Sequence, residues 1–350
     1  METKHIISLS ILGFALVATS GVAQAADKPK YETEMPAGLT APAEVKTRLG
    51  TLQTKDGFPD KATLEKVYDN LDFQRGVQSM LVAMPAASLA GMRRGLREFG
   101  PENQTVVMFD ELMDSKTLFL TANTTTVYNF GWLNTKDGPV VIEVPPKVLG
   151  CIDNAWFKWV GDVGVTGAEK GKGGKYLLLP PDYKGAVPEG YFVLRSKTYN
   201  HWLFFRGFLK DGKTAPAVAN IKKNLRIYPL SKKDNPPAMN LVNGSGKYFN
   251  TIGSTDFSFY EDVNQVVQEE PVEASDPETL GLLASIGIEK GKPFKPDARM
   301  KKILTEAAAV GDITARALAY KSRIPAAYFY KDSAWNTPFI GNSYLLLSQK

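Results

Sequence analysis

The chain has 350 residues, 43% of them hydrophobic and 23% charged, a balance that excludes wholesale disorder and fits two or three globular domains. Its formal net charge of +5 comes from scattered lysines such as Lys170, Lys172 and Lys175, with no basic helix or stripe, so nucleic acid is not an expected partner. One cysteine, Cys151, excludes an internal disulfide, and two histidines, His5 and His201, exclude histidine-rich zinc sites.

At the N-terminus, Lys4 and His5 precede an apolar run over 6–18, and Ala23-Gln24-Ala25 precedes Ala26-Asp27. A charged start, a short apolar core and small residues at −3 and −1 predict a secretory signal peptide over 1–25. Cleavage after Ala25 implies a periplasmic or secreted protein. The run is too short and broken to span a bilayer, and no later stretch reaches ~18 apolar residues, so no stable membrane insertion is expected after cleavage. His201 then remains as the one imidazole, which also excludes the two-histidine iron triad. It lies in the strand-like run HWLFFRGFL and reads as a hydrogen-bonded structural residue.

Residues 26–60 are rich in Pro, Thr and Lys and predict an extended lead-in. A helical segment follows over 61–102. Leu64, Val67, Leu71, Val77, Leu81 and Met84 recur at three- and four-residue spacing, and Pro85 should break or kink the run. A second helix is predicted over 86–99. Arg93, Arg94 and Arg97 complement its negative end before Gly100-Pro101 stops it, a reading that outweighs anion binding by the trio.

From about residue 103 the period changes to two. Tyr128, Phe130 and Trp132 line one face of a strand, and Val127, Asn129 and Gly131 the other. PVVIEVPP is a short β-branched run. AWFKWVGDVGV alternates again, with Trp156, Lys158, Val160 and Asp162 opposite Phe157, Trp159, Gly161 and Val163. KYLLLPP, GYFVLRS and HWLFFRGFL follow, so 103–232 predicts an antiparallel β-sandwich rather than a parallel sheet. Cys151 reads as a buried small hydrophobe. The glycine-rich GAEKGKGGKY lacks both the phosphate-loop and the dinucleotide spacing, and predicts a mobile hairpin loop.

Beyond 214 helices return. APAVANIKKNLRIYPL predicts a short one, and 233–330 a helical domain. ASDPETLGLLASIGI opens with Ser275-Asp276-Pro277-Glu278, read as a Ser-x-x-Glu capping box. The long run 295–324 carries a buried stripe of Met300, Ile303, Leu304, Ala307 and Ala308.

Candidate site residues gather around the polar knot Thr121-Ala122-Asn123-Thr124-Thr125-Thr126. The knot reads first as Asx and Ser/Thr turns. In a functional reading Asn123, Thr126 and Tyr128 present polar groups beside the aromatic wall of Phe130 and Trp132, a small-molecule pocket. Asp162 and Arg206 are charges inside apolar strands, expected as a structural ion pair or else as a raised-pKa base and an anion-binding group. Trp132, Trp156, Trp159 and Trp202 are expected in the core, and one of them, such as Trp159, could stack on a ring-shaped ligand. No cofactor and no metal site is expected, and no catalytic residue is assigned.

The runs LTANTTTVYNFGWLNTKDGPVVIEVPP, WFKWVGDVGVTGAEKGKGGKYLLLPP, VPEGYFVLRSKTYNHWLFFRGFL and NIKKNLRIYPLS, with ETLGLLASIGIEKGKPF and AYFYKDSAWNTPFIGNSY downstream, resemble the bacterial domain-of-unknown-function 1254 family. The likeness spans residues 45–344. It implies an immunoglobulin-like sandwich with N-terminal helices, an inserted helical domain and a jelly-roll domain numbered 1214, of which 331–350 would be a truncated start. Many members carry an Asn-Asp-Thr-x-Tyr style motif. Here Asn123-Thr124-Thr125-Thr126-Val127-Tyr128 lacks that carboxylate.

These readings together predict an α+β protein binding a small or carbohydrate-like molecule without turnover. Two alternatives stand beside it: a hydrolase or lyase working through carboxylate and tyrosine groups with a further domain, and a non-catalytic envelope component that pairs with another chain.

Overall fold

The computed structural model describes residues 36, 42–119 and 122–337. The expected signal peptide, the lead-in up to 41 apart from Pro36, Thr121 of the polar knot and 338–350 of the last segment lie outside the described residues. Two compact units divide at Leu64.

In the first unit the expected extended lead-in is a small antiparallel meander of β1 (Glu44–Thr47), β2 (Gly50–Lys55) and β3 (Phe58–Pro59). Asp56 and Gly57 adopt φ of 53° and 85°, the left-handed pair that a two-residue hairpin needs to match strand twist. Asp60 then caps the next helix by accepting a 2.7 Å hydrogen bond from the Thr63 amide.

Helix α1 (Lys61–Arg97) is one element of 37 residues that continues through Pro85, against the predicted break. Proline removes one backbone donor at a cost of about 3 kcal/mol, and burial of Ala83, Ala86, Ala87 and Leu89 around it outweighs that loss. The buried face also differs from the expected stripe. Leu64 and Leu71 are exposed, while Met80, Ala83 and Ala87 face the interior.

The second unit is α+β, with several sheets. Its strands are β4 (Thr105–Met108), β5 (Thr117–Leu118), β6 (Thr126–Asn134), β7 (Val140–Val144), β8 (Val148–Asn154), β9 (Trp159–Gly164), β10 (Gly174–Leu179), β11 (Phe192–Arg195) and β12 (Asn200–Phe208). There follow α2 (Ala215–Asn224), β13 (Arg226–Pro229), β14 (Asn240–Asn243), β15 (Phe249–Asn250), α3 (Ser258–Glu269), α4 (Pro277–Ala284) and α5 (Ala298–Tyr320). A six-stranded sheet runs β14-β4-β6-β12-β8-β9, a four-stranded sheet runs β11-β10-β7-β13, and β15 pairs with β5.

Strand alternation assigns the faces. One buried cluster joins Val127, Leu133, Ile152, Val163, Leu203 and Phe205 of the larger sheet to Val140, Ile142, Tyr176, Leu178 and Ile227 of the smaller. Pairing is antiparallel across β4-β6-β12-β8-β9, but β10–β11, β14–β4 and β15–β5 are parallel. Each of these three strand pairs includes an edge strand reached by a long connection, which parallel pairing requires.

Several local expectations need correction. The helix expected from Ala215 ends at Asn224, because the β-rich Ile227 and Tyr228 pair with β7. The cap of α4 is Asp276, which accepts from the Thr279 amide at 2.8 Å; Pro277 takes the first helical position, so the residue before it is the cap rather than Ser275. In α5, Leu304, Ala307 and Ala308 are buried as expected, while Met300 and Ile303 are half-buried. Helix α3, within the stretch expected to be helical, buries Phe259, Tyr260, Val263, Val266 and Val267. Its residues share a second core with Met80, Ala83 and Ala87 of α1 and Leu304 and Ala308 of α5.

The glycine-rich loop is built around a buried acid rather than left free. The Glu169 carboxylate accepts from the Gly164 amide and the Tyr176 hydroxyl, and only 5% of the residue is exposed.

Candidate functional site

The face of the larger sheet that points away from the shared core is aromatic. On adjacent strands Trp202 stands beside Trp132, Phe204 beside Phe130 and Arg206 beside Tyr128. Trp202 and Phe204 stack at 5.2 Å, and Tyr128 and Phe204 at 5.7 Å. Leu89, Met92 and Leu96 of α1 and Phe249 of β15 cover part of this face. Aromatic packing of this density adds to the area term of burial.

Two glycines set the height of the cover. A Cβ on Gly91 would lie 2.9 Å from the Cα of Gly253, and one on Gly95 would collide with the Asn250 carbonyl. The absence of side chains there lets segment 249–253 rest directly on α1. Between that segment, α1 and the sheet is a cavity of about 480 Å³. Phe119, Tyr128, Phe157, Trp202 and Phe204 supply aromatic walls, Ser88, Leu89 and Met92 come from the helix, and Thr251, Ile252 and Gly253 form the rim.

Arg206 is the one charged residue of this lining. Its Cζ lies 5.8 Å from the centroids of both Tyr128 and Phe204. Among the described residues its buried Nε has no hydrogen-bond partner and the guanidinium forms no ion pair. The expected Asp162–Arg206 pair is therefore absent. Asp162 accepts instead from Trp159 Nε1 at 2.8 Å.

A strand irregularity explains that substitution of partners. The alternation predicted for AWFKWVGDVGV places Trp159 and Asp162 on opposite faces. Residues 155–158 form a turn instead, with Phe157 at φ 57°, and the β8–β9 register shifts between Ile152 and Asp153. One extra residue in β9 brings Trp159 opposite Asp153, onto the side of Asp162. Trp159 is 66% exposed and is not core, whereas Trp132, Trp156 and Trp202 are buried. The turn also carries Phe157 to the cavity, edge-on to Trp202 at 5.8 Å.

Beside the cavity, on β8, Cys151 is half-buried rather than buried, with Sγ 3.7 Å from Asp153 Oδ2. Burial and the adjacent Asp153 charge push its thiol up to about 12, so it is no nucleophile at neutral pH. Burial raises the Asp153 carboxyl as well, and the Asp162 charge adds to that against the thiol hydrogen bond. His201 points to the opposite face, into the core. It is fully buried, and burial lowers its imidazole to about 3.

The polar knot serves its own backbone. Asn123 Oδ1 accepts from the Thr125 amide at 3.1 Å and from the Thr126 hydroxyl at 2.8 Å, and the Asn123 amide donates to the Tyr128 hydroxyl at 3.1 Å. Of the expected site residues, the structure thus brings Tyr128 and Arg206 together in the cavity. Asn123 and Thr126 form the turn beside it, and Trp159 and Asp162 stand at the sheet edge.

Trp132 lines a second, smaller cavity of about 180 Å³. There Arg93 lies 5.5 Å above its ring, donates to Glu102 at 2.6 Å and reaches Glu269. Asn200 accepts from Trp132 Nε1 and donates to Glu270, whose oxygens also take the Tyr199 and Asn200 amides. Arg94 pairs with Asp262 and Arg97 with Glu102. The arginine trio is consumed by carboxylates, which neither helix capping nor anion binding anticipates. This network ties α1 and α3 to the sheet.

Phe119, Phe157, Phe204 and the rim at 251–253 were missed as site residues. Phe204 was readable, since it shares the alternation of Trp202 and Arg206. The rim was not, because only the Gly91–Gly253 approach places it. Among the described residues no group of three or more His, Cys, Asp or Glu side chains is placed to hold a metal ion, and no helix is long and apolar enough to cross a membrane.

Residues 103–229 match the family described as "Protein of unknown function (DUF1254)", from the residues before β4 to the end of β13. A crystal structure of the VPA0106 protein from Vibrio parahaemolyticus is similar in fold, with a TM-score of 0.52 and 18% identity over 74% of this chain and 62% of that one. The chain thus spans less than two thirds of that protein's length, and the likeness concerns the fold alone. No curated protein matches the chain.

Proposed function

We propose that this chain, a DUF1254 domain over residues 103–229 with helices added after it, is an exported, periplasmic or secreted protein that binds a small apolar molecule without transforming it. The observation that carries this reading is the cavity of about 480 Å³ against the aromatic sheet face. That volume sits within the ~300–1,000 Å³ range of ligand pockets, which are mostly apolar with a few fixed polar groups. The core shared by the two sheets supports reading them as the sandwich that bears the site.

The polar groups at the cavity argue for an aromatic or aliphatic ligand over a sugar. The Tyr128 hydroxyl already accepts from Asn123, and the Thr251 hydroxyl donates to the Leu118 carbonyl at 2.7 Å. A sugar would bring many hydroxyls to mostly aromatic walls, where Arg206 is the one charged group left to meet them. Among the described residues the lining contributes no carboxylate, thiol or imidazole, which favours binding over turnover.

Fluorescence titration with the neutral probe N-phenyl-1-naphthylamine tests the reading. It should bind saturably at one site per chain, and Ser88→Trp, which fills the cavity from α1, should abolish that binding while the melting temperature holds. Binding that is absent, or unchanged by Ser88→Trp, would overturn it.

A further inference from the structure

The lining holds one cation among aromatic rings, and that cation forms no ion pair among the described residues. Arg206 emerges from β12 between Phe204 and Phe208, with Tyr128 across on β6 and Leu149 across on β8. The ring faces of Tyr128 and Phe204, each 5.8 Å from its Cζ, stabilise positive charge but accept no in-plane N–H hydrogen bond. Its Nε is buried without a hydrogen-bond partner among the described residues. The buried Arg93, by contrast, meets two carboxylates, Glu102 and Glu269. Buried donors of this kind are ordinarily paired.

We propose that Arg206 receives the carboxylate of a ligand whose apolar body fills the aromatic cavity, so that the site is specific for amphiphilic monocarboxylic acids. This rests on the reading of the cavity as a ligand site and adds the head group. A planar guanidinium fork matches a carboxylate bidentately, and the low-dielectric ring walls strengthen the pair. Charge on the same sheet face limits the ligand to a single negative charge. Asp153 and Asp162 stand on the neighbouring strands β8 and β9 and oppose a dianion such as a phosphate monoester. The remaining lining, Phe119, Phe157 and Trp202 among it, asks for a hydrocarbon or aryl body.

The test is competition against N-phenyl-1-naphthylamine at pH 8 by two ligands of the same shape, biphenyl-4-carboxylate and biphenyl-4-carboxamide. In the wild-type chain the carboxylate should bind at least about tenfold more tightly than the amide, the worth of one charge-assisted pair. That ratio should fall to near one in Arg206→Met and be partly kept in Arg206→Lys, which retains the charge without the fork. Equal affinities in the wild type overturn the head-group assignment even if no variant folds, and so does a preference that survives Arg206→Met. In either case saturable binding of the neutral probe leaves the cavity reading standing. Failure of the probe itself to bind removes both.

Discussion

Acid should destabilise this fold through His201, by an amount that can be worked out in advance. The imidazole is fully buried on the core face of β12, with no hydrogen-bond partner for Nδ1 among the described residues and Nε2 3.5 Å from the Thr198 hydroxyl. Burial lowers its pKa from 6.5 to about 3. The unfolded chain therefore takes up a proton below pH 6.5 that the folded chain refuses. Stability is unaffected above 6.5, falls as the pH drops, and levels off below about 3. Each pH unit inside that window costs about 1.4 kcal/mol, so going from pH 7 to pH 5 removes about 2 kcal/mol. Urea unfolding of wild type and His201→Gln at both pH values isolates the effect. Carboxyls such as Glu270, which burial raises despite the Tyr199 and Asn200 hydrogen bonds, are common to both chains and cancel. The wild type should lose about 2 kcal/mol more than the variant between the two pH values. An equal loss, or an imidazole that titrates near 6.5 by NMR, would refute the burial argument.

The ion network and the close approaches give further expectations. Arg93→Met takes the ion pair from Glu269 and leaves Glu102 only Arg97, and should cost about 3 kcal/mol in urea unfolding at neutral pH. Burial tends to raise both carboxyls, but hydrogen bonds and the charge of Arg93 hold them below the ordinary range. The loss on mutation should accordingly shrink as the pH falls below about 4.5, when the carboxyls of the variant protonate. Cys151, with its thiol near 12 against 9.0 unperturbed, should carry about a thousandfold less thiolate at pH 8 and react correspondingly slowly with iodoacetamide. Asp153→Asn should speed that labelling. Gly91→Val should lift the rim at 251–253 off α1 and weaken probe binding at least about tenfold, an overpacking cost of roughly 1–3 kcal/mol expressed at the site; unchanged affinity would separate the rim from the cavity.

Much of the larger sheet was legible because its alternation is strong. Tyr128, Phe130 and Trp132 share a face as their spacing predicts, and Arg206 follows from the same rule in HWLFFRGFL. The β8–β9 turn was not legible. Nothing in AWFKWVGDVGV marks the extra residue that turns Trp159 to the side of Asp162, and strand β8, holding Cys151 and Asp153, lacks a clear period. Helix α1 defeated a local rule, since Pro85 weakens one turn while burial on both sides keeps the helix intact. Its buried face was misread for a related reason. Large residues such as Leu64 advertised a stripe, whereas the true interface uses Ala83, Ala87 and Gly91, whose small size permits contact without signalling it. The meander over 44–59 could have been found from its Asp56-Gly57 turn. That Arg206 has no ion-pair partner among the described residues belongs to tertiary structure alone, because Asp162 is engaged by Trp159.

The most direct measurement is a crystal structure of the chain with biphenyl-4-carboxylate bound. Density for the biphenyl should lie between Phe119, Trp202 and Phe204, with its carboxylate on the Arg206 guanidinium. A ligand found at the Arg93 cavity or on the exposed surface of Trp159, with the aromatic cavity empty, would contradict the account.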